Sequence, residues 1–245
     1  MKTPACFVLL AALSPFASAT VSESFSHSYP LTETGTIQVE NINGSVNISA
    51  WEKNEVQLEA IKSAPNQDDL EHIHLKIEAG QDRLSVKTEY DRKRFFGNYQ
   101  GEVKYTLHVP VRAQLDGIKT VNADLHVSDV KGPVHLHTVN GHLVADGLTS
   151  SGHFESVNGG MNVGYASLDG IDDLELHTVN GGCTLTLPKG ASFQLNSHSV
   201  NGGVHSDDAL KVSKSSRGHF QAGTGGPLIN FHSVNGGLHL RSASS

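Results

Sequence analysis

Cysteine is scarce in this 245-residue sequence, which holds two, Cys6 and Cys183. Cys6 lies in an N-terminal segment with the build of a secretory signal. Lys2 gives a positive start, residues 7–13 a short apolar run, and Ala17-Ser18-Ala19 a small-residue cleavage site before Thr20. Cleavage after Ala19 leaves Cys183 as the one thiol and excludes an intrachain disulfide. Lipidation is also excluded, because Cys6 precedes the apolar run instead of following it. Long hydrophobic runs are missing too. Residues 7–13 are too few to span a bilayer, and no second apolar segment follows. The expectation is export without an anchor, to the periplasm or the outside of a bacterial-type cell. Aromatics make up 6% of the chain, and 18 basic residues face 25 acidic ones. A net charge of −7 excludes the basic face that nucleic-acid binding requires.

What the sequence has in abundance is one phrase, His-Thr/Ser-Val-Asn-Gly. It occurs at residues 137–141, 177–181, 198–202 and 232–236, with Lys119 and Glu155 in the His slot of two variants and a diverged copy at Asn41-Ile42-Asn43-Gly44. Counted from the Asn, the residue four before it is Val39, Ile118, Leu136, Phe154, Leu176, Ser197 or Phe231. The residue three after it is Val46, Leu125, Leu143, Met161, Cys183, Val204 or Leu238, and apolar residues recur two further on. That is the strand period with one face turned to a core. Each copy therefore reads as strand, tight Asn-Gly bend, strand.

Asn-Gly serves equally as the turn of a hairpin or as the corner of a stacked coil. Parity alone does not separate the two, since both turn the same residues inward. The copies near the middle recur after eighteen, eighteen and about twenty-one residues with constant chemistry at each slot, which favours stacking, because units that cannot bury a core alone stack on their neighbours. The interval before the last copy is nearly double, which suggests a coil that has lost the phrase.

Taken in order, residues 1–19 are the signal peptide. Residues 20–114 form an N-terminal antiparallel β layer with the first Asn-Gly unit, and residues 115–245 a β-repeat solenoid. Within the layer, residues 22–29 are a leading strand, Pro65-Asn66-Gln67-Asp68-Asp69 a loop, and residues 70–77 and 83–90 two long strands. The fold class is all-β, a β-helix-like solenoid preceded by that layer.

A first Asn-Gly unit followed by Trp51, long strands closing in Leu107-His108-Val109-Pro110, serial Asn-Gly units including Leu185-Thr186-Leu187-Pro188, and a last unit after Gly223-Thr224-Gly225-Gly226 together carry a family resemblance. The chain resembles the bacterial adhesin-like β-strand-repeat family, a domain of unknown function. The resemblance implies an exported, repeat-built β protein without established chemistry. It does not imply the abundance of His.

The His residues of the phrase have the opposite parity to the apolar columns and should face outward. Stacked, Lys119, His137, Glu155, His177, His198 and His232 would form one surface column, and His126, His205 and His239 a second. Imidazole is a common metal ligand, yet no compact ligand spacing occurs. The only basic and aromatic stretch, Arg92, Lys93, Arg94, Phe95 and Phe96 within residues 91–99, could grip an anionic glycan, lipid head groups or a protein. Asp146, Asp169, Asp172 and Asp173 are acidic but unpaired by any motif, and no Gly-x-Ser-x-Gly elbow is present. Cys183 falls in an apolar column and reads as a buried hydrophobe. The expected function is a non-catalytic, cofactor-free binding or structural scaffold of the cell envelope, meeting envelope glycan, membrane surface or another envelope protein. The alternatives are a carbohydrate-active β-helix enzyme and a His-rich metal-binding protein.

Overall fold

The computed structural model describes residues 20–91 and 100–243. The signal segment and the stretch Arg92–Phe96 lie outside the described residues. The chain is all-β, in two large mixed sheets of ten and eleven strands, neither closed into a barrel.

Each Asn-Gly copy is divided between the sheets. The first arms, Thr36–Asn43, Gln114–Asn122, Val134–Asn140, Gly152–Asn158, Asp173–Asn180, Phe193–Asn201 and Leu228–Asn235, all lie in the eleven-stranded sheet. The second arms, from Val46–Trp51 through Leu238–Ser242, all lie in the ten-stranded sheet. Asn-Gly is therefore a corner between sheets, and the hairpin option fails. Corresponding arms pair in parallel and in register: Leu136 opposite Phe154, Phe154 opposite Leu176, Leu176 opposite Phe231. The second arms set Leu143, Met161, Cys183 and Leu238 in one line. These inward columns are buried. Apolar burial at about 25 cal/mol per Å² supplies the driving force, with each rung lending its face to the next.

The corner explains the glycine. The N–H of Gly141, Gly159 and Gly181 donates to the Asn carbonyl of the neighbouring rung at 3.1, 3.0 and 3.0 Å. That approach leaves no room for a side chain, since a Cβ on Gly159 would collide with the Gly141 carbonyl oxygen. Beneath the corner, the Thr/Ser slot points inward and is buried at Thr120, Thr138, Ser156 and Thr178. At Ser156 and Thr178 the hydroxyl has a local acceptor, Ser156 Oγ donating to the Gly159 carbonyl at 3.2 Å and Thr178 Oγ1 to that of Gly181 at 3.3 Å. Ser233 Oγ in the same slot is buried without a hydrogen-bond partner among the described residues. Burial without such a partner costs free energy. In the first copy Asn41 fills this slot, with Nδ2 on the carbonyls of Gly44 and Val103 and Oδ1 accepting from Thr88 Oγ1 at 2.9 Å.

The N-terminal strands continue both sheets. Val21–Pro30, Glu55–Ala64 and Glu102–Pro110 pair antiparallel at one end of the ten-stranded sheet. Ile73–Ala79 and Arg83–Tyr90 do so at the end of the eleven-stranded one. Parallel pairs join them to the first copy. The strand expected from residue 70 starts three residues later. Gln67–Glu71 is a short helix because Asn66 caps it, its Oδ1 accepting from the Asp69 N–H at 2.8 Å.

The long last interval does not hold a degenerate coil. After Phe193–Asn201 the chain forms a hairpin, Ser213–Ser216 with His219–Ala222, that pairs antiparallel on the outer side of that strand. It then returns and lays Leu228–Asn235 between Asp173–Asn180 and Phe193–Asn201. Leu238–Ser242 enters the other sheet in the same way, between Cys183–Leu187 and Val204–Ser206. The stacking order is Asn180, Asn235, Asn201, so the last copy in sequence is not the last in space.

Candidate binding face

Alternation along each first arm sends every second residue out of the eleven-stranded sheet, and register turns these into columns. Three columns result. The one nearest the corner is apolar: Ile42, Val121, Val179, Val234 and Val200 are all exposed, Val200 to 73%. Next comes the column with Glu40, Lys119, His137, Glu155, His177, His232 and His198, paired rung to rung. Further out, His135 pairs with His153 and His153 with Glu175, and Glu175 then meets Asn230, which lies beside Asn196.

The imidazoles form a continuous ladder. Ring centroids lie 6.0 Å apart for His135–His153, 5.4 Å for His153–His177, 5.0 Å for His177–His232 and 6.1 Å for His232–His198. The inserted last copy places His232, not His198, against His177. One end of the ladder is paired with acid. His137 Nδ1 lies 2.8 Å from Glu155 Oε2, while His153 bridges Glu155 at 2.8 Å and Glu175 at 2.6 Å. His135 meets Asp116 at 3.1 Å. The other end faces amides, and His219 of the hairpin contacts Asn196 Oδ1 at 2.7 Å.

This asymmetry divides the titrations. Partial burial lowers the affinity of His153 for a proton, but hydrogen bonds and charge from Glu155 and Glu175 outweigh it and raise its pKa. Glu155 is correspondingly lowered by its hydrogen bond to His153. His177 is lowered by burial and by the neighbouring His232 and His153 rings.

Two depressions follow the columns. One of about 420 Å³ includes Glu40, Lys119, His135 and His153. The other, about 320 Å³, runs between the imidazoles of His177, His198 and His232 and the valines Val179 and Val234. Along the corner, a chain of amides borders the face. Nδ2 of each Asn donates to Oδ1 of the preceding rung, from Asn201 through Asn235, Asn180, Asn158, Asn140 and Asn122 to Asn43, at 2.8 to 3.0 Å.

Of the second expected column, His205 and His239 are neighbours at 5.3 Å on the ten-stranded sheet. His126 lies further off, separated from them by Val144, Asn162 and Thr184. Among the described residues no three His, Cys, Asp or Glu side chains converge as a metal site. Asp146, Asp169, Asp172 and Asp173 are exposed; Asp169 accepts from Ser167 Oγ at 2.9 Å. Cys183 is buried, its thiol pushed up to about 12 by desolvation. A Ser–His contact that the sequence reading missed joins Ser49 Oγ and His108 Nδ1 at 2.8 Å, with the His108 ring stacked on Trp51. Among the described residues no carboxylate forms an ion pair with His108, so the orienting third group of a triad is missing. The exposed valines and the column of His135, His153 and Glu175 were also missed. Parity alone would have placed the valines outward beside His137.

The resemblance to the adhesin-like β-strand-repeat family is in line with solved structures of similar fold that are described as putative adhesins or cell adhesion proteins. The chain shares its fold with a solved structure from Clostridium sporogenes described as a putative cell adhesion protein, at 14% identity and a TM-score of 0.55, covering 91% of this chain and all of that one. A putative adhesin from Bacteroides fragilis aligns over 90% of this chain and 97% of its own, at 11% identity and a TM-score of 0.35. No protein-family model and no curated protein sequence matches the chain.

Proposed function

We propose that this chain is an exported, non-catalytic binding scaffold of the bacterial cell envelope. In this reading it is a β-solenoid, with residues 20–114 running into the stacked repeats of 115–245. The observation that carries the reading is the outward face of the eleven-stranded sheet, where register aligns imidazoles and exposed valines into parallel columns. Monomeric surfaces seldom leave such apolar rows uncovered unless they meet a partner. The fold shared with a structure described as a putative cell adhesion protein is in keeping with a contact role. The stretch Arg92–Phe96 is a second candidate contact.

The test is retention on cell envelopes. Replacing Val179 and Val234 by Ser, together with His177 by Asn, should lower retention at least fivefold while the thermal transition stays cooperative. Unchanged retention removes the face from the account. A screen for new reducing ends on envelope polysaccharides should give none above background, and sustained release would replace the scaffold reading with an enzymatic one.

A further inference from the structure

The two ends of the imidazole ladder differ in what surrounds them. Around His135, His137 and His153 the carboxylates Asp116, Glu155 and Glu175 already take up the imidazole hydrogen bonds. Toward His232 and His198 the adjacent column is Asn230 and Asn196, and the hairpin packed on that edge adds His219. The nearest acids all lie at His177: Glu155 is its partner on the neighbouring strand, Glu175 is 4.0 Å away, and Asp173 is on the outward side of the same strand. Beyond His177, among the described residues, no carboxylate forms an ion pair with His232, His198 or His219. Proton uptake there therefore creates positive charge without internal counter-charge. The depression at this end is lined by His177, His232 and His198 and by Val179 and Val234, and Glu155 closes it on the acid-paired side.

We propose that this end of the face is an acid-strengthened binding site for a linear, carboxylate-bearing glycan. The proposal rests on the reading of the protein as an envelope scaffold and names the ligand class. Three rungs about 4.8 Å apart offer His177, His232 and His198 in one column, with His219 set to its side opposite Asn196, which matches a linear polyanion better than a compact anion. A uronate unit presents a carboxylate on its edge and C–H groups on its ring face. The carboxylate meets an imidazolium, and the C–H face lies on the valines. A phosphate polymer would use only the first contact. Uronate carboxylates, with pKa values near 4 like other carboxylates, stay charged at pH 5.5, where an unperturbed imidazole, of pKa about 6.5, carries its proton, and His177, lowered by burial and by its neighbouring rings, takes up its own at lower pH. Binding therefore strengthens through that window.

The test titrates the full chain with polygalacturonate, a neutral glucan and inorganic polyphosphate at pH 5.5 and pH 7.5 and fixed ionic strength. Polygalacturonate should bind at least tenfold more tightly at pH 5.5, and the neutral glucan should not bind. His232→Asn with His198→Asn should remove most of that pH dependence. Val179→Ser with Val234→Ser should weaken polygalacturonate several-fold and leave any polyphosphate binding unchanged. Equal affinity at the two pH values, an unaltered profile in the His variants, or polyphosphate binding as tightly as polygalacturonate overturns the proposal. Loss of envelope retention in the face variant without any polygalacturonate binding would sink the ligand class alone and leave the scaffold reading standing.

Discussion

At the residue scale, the surroundings push the pKa of His153 up, through Glu155 and Glu175, and that of His177 down, through burial, although the two rings lie 5.4 Å apart. NMR titration should place His153 above the usual imidazole value and His177 below it, and Glu155→Gln should lower His153. The consequences for stability also oppose. His153 binds its proton more tightly when folded, so its contribution is fully present below the unfolded pKa of about 6.5 and is lost as pH rises through the folded value. His177 binds its proton less tightly when folded. Its contribution is present above about 6.5 and is lost as pH falls through its folded value. Asn substitution of one histidine at a time, with melting followed from pH 8 to pH 5, should reveal the two slopes. Glycine at the corner is a matter of space. Gly159→Ala should destabilise by about 3 kcal/mol, the upper range for overpacking. Gly203→Ala, where a Cβ meets nothing within 4 Å, should be close to neutral in the same denaturant series.

At the element scale, the recurring unit is a strand, a corner and a strand, and its amides bond to the next unit instead of within itself. Asn158 both donates to Asn140 and accepts from Asn180. Asn158→Ala should thus cost about 1 kcal/mol, the net value of exposed hydrogen bonds. Asn201→Ala, at the end of the ladder with only its donation to Asn235, should cost less. Both can be read from urea midpoints. The inward columns were legible from residue type, because period-two alternation and burial are two views of one fact: Leu136, Phe154 and Leu176 had to share a side. The outward position of the histidines was legible for the same reason. The short helix was marked only by the three-residue step from Leu70 to Ile73, which breaks the period-two run of Ile73, Leu75 and Ile77, and by the cap at Asn66. The acid pairing of His153 was also hidden, because it depends on which residues of different rungs become neighbours, and spacing along the chain does not encode that.

At the scale of the whole molecule, the order of rungs was the feature least available to sequence. Thirty-four residues separate Asn201 from Asn235, an interval that describes a missing coil as well as it describes a detour. Only pairing distinguishes them. Because the last copy is interior, damage there should spread outward. Phe231→Ala, at a fully buried position, should cost about 3–5 kcal/mol. It should also speed amide exchange in Phe193–Asn201 and its hairpin while Val134–Asn140 stays protected, as expected when each rung depends on its neighbours. Equal acceleration in both segments would mean that the stack unfolds as one unit. The interior place of Leu228–Ser242 also bears on synthesis. A ribosome delivers the Asn201 copy first, before the copy it will rest on exists. Residues 193–222 must therefore wait, or hold a provisional seat on the Asn180 copy and give it up. For this protein the sequence of arrival and the sequence of docking part company at that point: the final strands either dock ahead of residues 193–222 or displace them to enter between two rungs.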